Sequence, residues 1–148
     1  MTKTFILFLI SVAGYPTVAC PNLSGRWNCG RGQNSWSVEV SQSTPSSGNA
    51  IYKFDEGFRT ETYIADGNWY QINSADGDKL SIKSFCENSN FHLMWHNEYH
   101  NGEVVNGATK NFINDIGDWV ADSEANGYPS GHTMCARETS DRVTRGSH

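Results

Sequence analysis

Tight-turn signals recur along this 148-residue chain, and short stretches of alternating apolar and polar residues lie between them. Asn-Gly and Asp-Gly pairs favour the two-residue turns of β-hairpins, because asparagine, aspartate and glycine tolerate positive φ. The chain contains five such pairs, at Asp66-Gly67, Asp76-Gly77, Asn101-Gly102, Asn106-Gly107 and Asn126-Gly127. This pattern restricts the chain to a fold of short antiparallel strands.

The stretches between the turn signals have the two-residue period of half-buried strands. In one of them Trp36, Val38 and Val40 alternate with polar residues, and in another Leu80 and Ile82 do so. Strands are predicted near residues 24–29, 35–42, 50–55, 58–65, 68–73, 79–86, 90–100, 103–106 and 131–138. The sequence therefore predicts an all-β, antiparallel up-and-down meander of eight to nine strands. Such a meander removes its exposed edges by closing into a barrel.

The segment 108–125 fits two structures, since its apolar residues match a short helix about as well as loop and strand. Those residues are Phe112, Ile113, Ile116, Trp119 and Val120. The segment 43–49, rich in Ser, Pro and Gly, is predicted to be a loop. The aromatic and aliphatic side chains expected to fill the core are Trp36, Phe54, Phe58, Leu80 and Phe91.

Residues 1–19 have the layout of a cleavable signal peptide, with Lys3 before an apolar stretch from Phe5 to Val12 and small residues at the end. That stretch is too short to cross a bilayer, which takes about 20 apolar residues. We expect one β-barrel domain over residues 20–138 and a solvated tail over residues 139–148. The formal charge of −5, without any basic run, argues against nucleic acid and anionic membranes as partners.

All four cysteines follow the predicted cleavage point, and their even number favours two disulfides in an oxidising compartment. They are Cys20, Cys29, Cys86 and Cys135. We therefore expect a secreted or periplasmic protein. Lipid modification of Cys20, as in bacterial lipoproteins, is the alternative, but it would leave one cysteine without a partner. Four cysteines allow three pairings, and the sequence does not choose among them.

The run Leu23-Ser24-Gly25-Arg26-Trp27 resembles the first strand of barrels in the calycin superfamily, the lipocalin and avidin group. The resemblance implies an up-and-down barrel that binds a small molecule in its interior or at its mouth. It also implies a basic residue of the last strand lying over the tryptophan of the first, and Arg137 is the candidate. Gly25, Trp27 and Arg137 then form a structural signature at the closed end of the barrel.

The resemblance also favours one disulfide pairing. If the first and last strands pair so that Trp27 faces Arg137, then Cys29 faces Cys135, because residues opposite each other have a constant index sum. That arrangement leaves Cys20 with Cys86. An avidin-like barrel likewise ties its N-terminal segment to a later strand.

Two branches of the resemblance carry specific expectations. Asn28 lies one residue earlier than the asparagine that avidin-like chains use for biotin, so it falls on the opposite face and biotin is not expected. Small periplasmic inhibitors of bacterial metalloproteases also open with Leu-x-Gly-x-Trp and insert their N-terminal tail into the protease. Here that tail is only Cys20-Pro21-Asn22, and a disulfide at Cys20 would tether it.

Four aromatic residues are candidate ligand contacts, because Trp and Tyr combine an apolar body with a polar tip. They are Trp69, Tyr70, Trp95 and Tyr99. Ordinary filling of the barrel interior is the alternative role for each of them.

Three histidines recur every four residues, at His92, His96 and His100. On a helix this spacing would suit a zinc or copper site, but on a strand it separates successive imidazoles by about 13 Å. The alternating pattern around them favours a strand. A metal site would then need Glu98 or His132 as an additional ligand, and no metal or other cofactor is predicted.

Nothing in the sequence points to catalysis. No Gly-x-Ser-x-Gly motif occurs. Four carboxylates could form an acid/base pair, namely Asp55, Glu56, Asp115 and Asp118. The sequence does not show that any two of them lie within reach of each other.

We therefore predict an exported, non-enzymatic β-barrel that holds a small hydrophobic or amphipathic ligand. The alternative is a protein-binding or protease-inhibitor-like barrel with a filled interior, and a further alternative is metal binding on the histidine strand. A ligand cavity of about 300 Å³ or more distinguishes the first from the second.

Overall fold

The computed structural model describes residues 19–46, 48–74 and 76–139. The predicted signal peptide, apart from its last residue, lies outside the described residues. So does the predicted tail, apart from its first residue.

In the described residues the chain forms ten antiparallel strands and no helix. The strands are β1 Gly25–Arg31, β2 Asn34–Ser43, β3 Ile51–Asp55, β4 Thr60–Ile64, β5 Trp69–Asn73, β6 Lys79–Glu87, β7 Asn90–Glu98, β8 Val104–Ile113, β9 Trp119–Ala125 and β10 Tyr128–Arg137. The all-β, up-and-down architecture is confirmed, and the number of strands is ten instead of eight to nine.

One sheet contains all ten strands, in the order β4-β3-β2-β1-β10-β9-β8-β7-β6-β5. The first and last strands pair, with Trp27 opposite Arg137 and Cys29 opposite Cys135. Among the described residues no ladder joins β4 to β5, so the sheet forms a half-barrel with a seam between these strands. At the seam, the Ser84 hydroxyl of β6 donates to the Ile64 carbonyl of β4 at 2.7 Å.

The helix considered for residues 108–125 is wrong, because this segment forms most of the β8–β9 hairpin. Its turn is organised by Asn114, whose side-chain oxygen accepts hydrogen bonds from the backbone N–H groups of Ile116 and Asp118. Over so short an apolar run, the helical and strand periods are hard to distinguish in the sequence. In the structure Phe112 pairs with Val120 across the hairpin, so the segment is β-strand.

Asn106-Gly107 lies inside β8 and does not form a turn, unlike the other four pairs. Gly107 is opposite Trp95 of β7, and a Cβ atom on Gly107 would collide with the Trp95 indole. Glycine is needed here because the Trp95 indole occupies the space that a side chain would take. Close approach of a neighbouring group is one reason why glycine occurs inside a strand.

Two disulfides join the four cysteines, all of which lie in the described residues. Cys29 is bonded to Cys135, and Cys20 is bonded to Cys86. This is the pairing that the resemblance implies. The first bond crosslinks β1 and β10 within the core, and the second fastens the N-terminal segment to β6. Disulfides are consistent with an extracellular or periplasmic location.

The core is concentrated at the end of the half-barrel where the chain enters β1. Trp27 is fully buried, and its indole N–H donates to the Leu23 carbonyl at 2.8 Å. The Arg137 guanidinium lies 4.2 Å from the centre of the Trp27 ring and also donates to the Ser24 carbonyl. Gly25 has a φ of +132°, and a Cβ atom there would meet the Arg137 side chain, so this position requires glycine.

The expected core residues differ in their burial. Phe91 is buried, while Trp36 and Phe54 are half-buried against the core. Leu80 is half-buried outside the core cluster. Phe58 is wrong as a core residue, since it is 80% exposed in the β3–β4 turn, where the chain reverses before the alternation of β4 begins.

Within residues 19–46, 48–74 and 76–139, no helix is long and apolar enough to cross a membrane.

Candidate functional site

A cavity of about 250 Å³ lies on the inner face of the half-barrel. Aromatic side chains from five different strands contribute to its walls, namely Trp36, Phe54, Tyr63, Phe91 and Trp119. A concave site with predominantly apolar walls and a few polar groups is the usual form of a small-molecule site.

The register of the sheet explains why these rings meet. Trp36 of β2 is opposite Cys29, Cys29 is opposite Cys135, and Cys135 is opposite Trp119 of β9. Residues in such a row share one face of the sheet, because side chains alternate along every strand. The disulfide therefore forms part of the cavity wall between two tryptophans. Phe54 lies across from them, with its ring centre 5.7 Å from that of Trp119.

Two of the polar side chains that line the cavity, Asn111 and Thr109, are hydrogen-bonded. Asn111 donates to the Phe91 carbonyl at 3.2 Å and accepts from the Trp119 indole N–H at 3.0 Å. The Thr109 and Ser123 hydroxyls are 2.9 Å apart. In the described part of the chain, no fully buried side-chain nitrogen or oxygen lacks a partner. The interior is thus suited to the apolar part of a ligand.

Charged groups lie at the β3–β4 hairpin, on the solvent side of the cavity. The Arg59 Nε is 2.5 Å from a carboxylate oxygen of Glu56, and its Nη1 is 3.6 Å from one of Glu61. The Glu56 side chain is 18% exposed, whereas that of Glu61 is 42% exposed. The hydrogen bond to Glu56 raises the pKa of Arg59, so the guanidinium stays charged.

Tyr63 connects this charged mouth with the aromatic wall. Its hydroxyl donates to Glu61 at 2.8 Å. Burial, followed by the bond to Glu61, raises the pKa of Tyr63 well above its usual range, so the hydroxyl remains a neutral donor at physiological pH.

A second cavity, the seam cleft, has a volume of about 170 Å³ and lies between β4 and the β5–β6 hairpin. Its lining includes Tyr63, Ile64, Tyr70, Ile72 and Ile82. Tyr63 lines both cavities, so the seam cleft adjoins the interior cavity at this residue.

The four predicted ligand contacts do not form one cluster. Tyr70 lies in the seam cleft, and the register places it in a row with Ile82 and Trp95. Trp69 belongs to the opposite face of β5 and is 51% exposed. Tyr99 lies in the β7–β8 connection. Among the described residues, those that line the interior cavity include none of these four.

Sequence reasoning missed most of the mouth of the cavity. It singled out Glu56 only as a carboxylate, and it gave no role to Arg59, Glu61 or Tyr63. Period two within the predicted strand 58–65 places these last three residues on one face, so the alternation contained a signal for a charged and aromatic row. Only their position opposite Phe54 and Tyr52 shows that this row faces the interior.

The remaining candidate carboxylates are distributed over both ends of the sheet. Asp55 ends β3 and accepts the Gly57 N–H, while Asp115 and Asp118 lie in the β8–β9 turn at the other end. The topology therefore separates Asp55 and Glu56 from Asp115 and Asp118.

The three histidines of the predicted metal alternative have separate surroundings. The His92 ring stacks on Phe85, His96 lies between Asn106 and Glu98, and His100 is bonded to Asp78. In the described part of the chain, no three His, Cys, Asp or Glu side chains are grouped so that they would hold a metal ion.

The outer face of the sheet has a larger depression, of about 660 Å³, near His132. His92, Lys110, Asp122 and His132 occupy one cross-strand row there, and His132 is bonded to Asp122 at 2.6 Å. Among the described residues that line it, none is Phe, Tyr, Trp, Leu, Ile or Val. Despite its smaller volume, the interior cavity is the better candidate, because aromatic side chains form much of its walls.

His96 should titrate above the ordinary histidine pKa of about 6.5. The hydrogen bond to Asn106 and then that to Glu98 raise the pKa of His96, since both ring nitrogens donate only in the imidazolium form. The protonated ring therefore stabilises the fold below pH 6.5, and this contribution is lost as pH rises through the higher folded-state pKa. An NMR titration of the His96 ring checks this. Asn106→Ala should lower the midpoint, and a wild-type midpoint at or below 6.5 would contradict the prediction.

In comparison with known proteins, no family model matches the chain, and a search of the curated proteins finds no match. The site is therefore classified by its geometry alone. It is a partly enclosed aromatic cavity with a charged mouth, on the inner face of a half-barrel.

Proposed function

We propose that this chain is an exported binding protein of the calycin type that holds a small hydrophobic or amphipathic molecule in its interior. The observation that carries the proposal is the cavity of about 250 Å³ with five aromatic side chains in its walls. Apolar surface of a ligand gains about 25 cal/mol for each Å² that such walls remove from water.

The size of the cavity suits a small ligand. It is slightly below the value of about 300 Å³ at which typical ligand pockets begin. The seam cleft of about 170 Å³ is a separate cavity, and among the described residues it shares only Tyr63 with the interior cavity. A compact aromatic or short aliphatic molecule is therefore favoured over a long-chain lipid.

Two features support the calycin type and export. The strand pairing places Arg137 over Trp27 at the closed end, as the resemblance implies. The two disulfides fit an oxidising compartment, in agreement with a signal peptide over residues 1–19.

The protease-inhibitor alternative has less support. Cys20 is bonded to Cys86, Pro21 is buried, and the Pro21 carbonyl accepts a hydrogen bond from the Tyr52 hydroxyl at 2.8 Å. A tail held in this way is not free to enter a protease cleft, and a cavity of about 250 Å³ remains inside the half-barrel.

Blocking the cavity tests the proposal. Ala121 of β9 lines it, so Ala121→Phe should place a benzyl group in the space that a ligand needs. We expect wild-type protein to bind small neutral probes such as naphthalene and 2-phenylethanol saturably, with a change in tryptophan fluorescence because Trp36 and Trp119 line the cavity. Ala121→Phe should weaken this binding about tenfold or more.

Ala136→Phe is the matched control, since Ala136 is exposed on β10 and lies outside the cavity. It should leave probe binding unchanged. If Ala121→Phe is too unstable to fold, the smaller change Ala121→Leu provides the same comparison. Unsaturable binding to wild type, or equal binding by blocked and control variants, would overturn the proposed function.

A further inference from the structure

The negative charges at the mouth of the cavity outnumber the positive ones. Among the described residues that line the cavity, the charged side chains are Glu56, Arg59 and Glu61. Two carboxylates and one guanidinium leave one net negative charge on the side that reaches solvent. Arg59 is paired with both glutamates, so a ligand carboxylate would have to displace one of them to reach it.

The two carboxylates differ in their availability. Glu56 is mostly buried and is committed to Arg59 at 2.5 Å. Glu61 is more exposed and lies at 3.6 Å from Arg59. One of its oxygens accepts the Tyr63 hydroxyl, but an ionised carboxylate has about four acceptor positions. Glu61 therefore keeps the capacity to accept a hydrogen bond from a ligand.

The aromatic walls below the mouth also favour a positively charged ligand. The faces of aromatic rings are negative, and they attract a cation that lies within about 6 Å of the ring centre. Trp36, Phe54 and Tyr63 contribute such rings to the cavity. A carboxylate at the same place would face the negative rings and two like charges, and the one guanidinium there is already paired with both glutamates.

We propose that the cavity selects small amphipathic cations, which place a protonated amine at Glu61 and an aromatic or short aliphatic body between the aromatic walls. This inference rests on the proposed function and goes beyond it, because it assigns the ligand's charge and the residue that recognises it. Carboxylic acids of the same size are the molecules that the site rejects.

Three probes of similar size and different charge test the inference on the disulfide-bonded protein. They are 2-phenylethylamine, 2-phenylethanol and 3-phenylpropionate, titrated at pH 7 by isothermal calorimetry. We expect the amine to bind about tenfold more tightly than the alcohol, and the acid to bind more weakly than the alcohol. Added salt should reduce the preference for the amine.

Glu61→Gln removes the charge but keeps an oxygen that accepts the Tyr63 hydroxyl. It should abolish most of the preference for the amine over the alcohol. The matched control is Glu39→Gln, because Glu39 is also an exposed carboxylate paired with an arginine, at 3.3 Å from Arg26, and lies outside the cavity. This control should keep the wild-type preference.

The outcomes separate the inference from the function on which it rests. If the alcohol binds as tightly as the amine, or the acid binds most tightly, the charge selection is overturned while the cavity remains a binding site. If Glu61→Gln and Glu39→Gln behave alike, Glu61 is not the recognising residue and the inference is also overturned. If none of the three probes binds, both the inference and the proposed function are overturned.

Discussion

Replacing Trp27 with alanine is expected to lower the free energy of unfolding by about 4 kcal/mol, near the upper end for a single core substitution. The side chain is fully buried and meets Trp119 edge to face, with ring centres 5.9 Å apart. Its removal would leave a cavity at the closed end, expose the ring-facing side of Arg137 and deprive the Leu23 carbonyl of its donor. Urea denaturation measures the loss.

Two further variants separate the contributions of the Trp27 ring and its N–H group. Trp27→Phe keeps a ring but leaves the buried Leu23 carbonyl without a donor, and it should cost about 2 kcal/mol. Trp69→Ala removes a half-exposed tryptophan from the edge strand β5 and should cost about 1 kcal/mol or less. Equal losses for Trp27→Ala and Trp69→Ala would contradict the assignment of Trp27 to the core.

The Cys29–Cys135 disulfide is expected to contribute about 4 kcal/mol to stability. Its two cysteines are 106 residues apart in sequence, so the crosslink removes much of the conformational freedom of the unfolded chain. Both cysteines are buried and join the first strand to the last. The double variant Cys29→Ala/Cys135→Ala should therefore unfold at a much lower urea concentration than wild type.

The second disulfide provides the comparison. Cys20 and Cys86 are 66 residues apart, so their crosslink restricts the unfolded chain by a similar amount. They are only half-buried, so Cys20→Ala/Cys86→Ala should cost less than the first double variant. Loss of less than about 1 kcal/mol on removal of Cys29 and Cys135 would contradict the expected restriction of the unfolded chain by this crosslink.

Many strands follow from local pattern alone. In β2 the alternation of Trp36, Val38 and Val40 predicts an inward face, and the structure has Val38 and Val40 buried. The β8–β9 hairpin was not predicted as such, because its apolar residues do not distinguish a helix from two strands. Cross-strand pairing across the Asn114 turn stabilises the hairpin, and such pairing is not visible in a single stretch of sequence.

The candidate site was less accessible to sequence reasoning than the fold. Trp69 and Tyr70 were chosen by residue type, but neighbouring residues of a strand point to opposite faces, so the two cannot serve one site equally. Glu61 and Tyr63 were overlooked because their chemistry is ordinary for a strand. Their place at the cavity becomes visible only where β4 pairs with β3 and brings them next to Phe54.

By itself, the sequence determined the class of the fold: tight-turn signals and a period of two leave little besides an antiparallel meander. It also contains two residue pairs, Trp27 with Arg137 and Cys29 with Cys135, whose residue numbers have the same sum. Both pairs therefore fit a single register of the first and last strands. Only the tertiary structure decided where the sheet stays open, which rings enclose the cavity and which charges lie at its mouth. Local propensity acts over a few residues, whereas curvature and enclosure depend on how all ten described strands pack together.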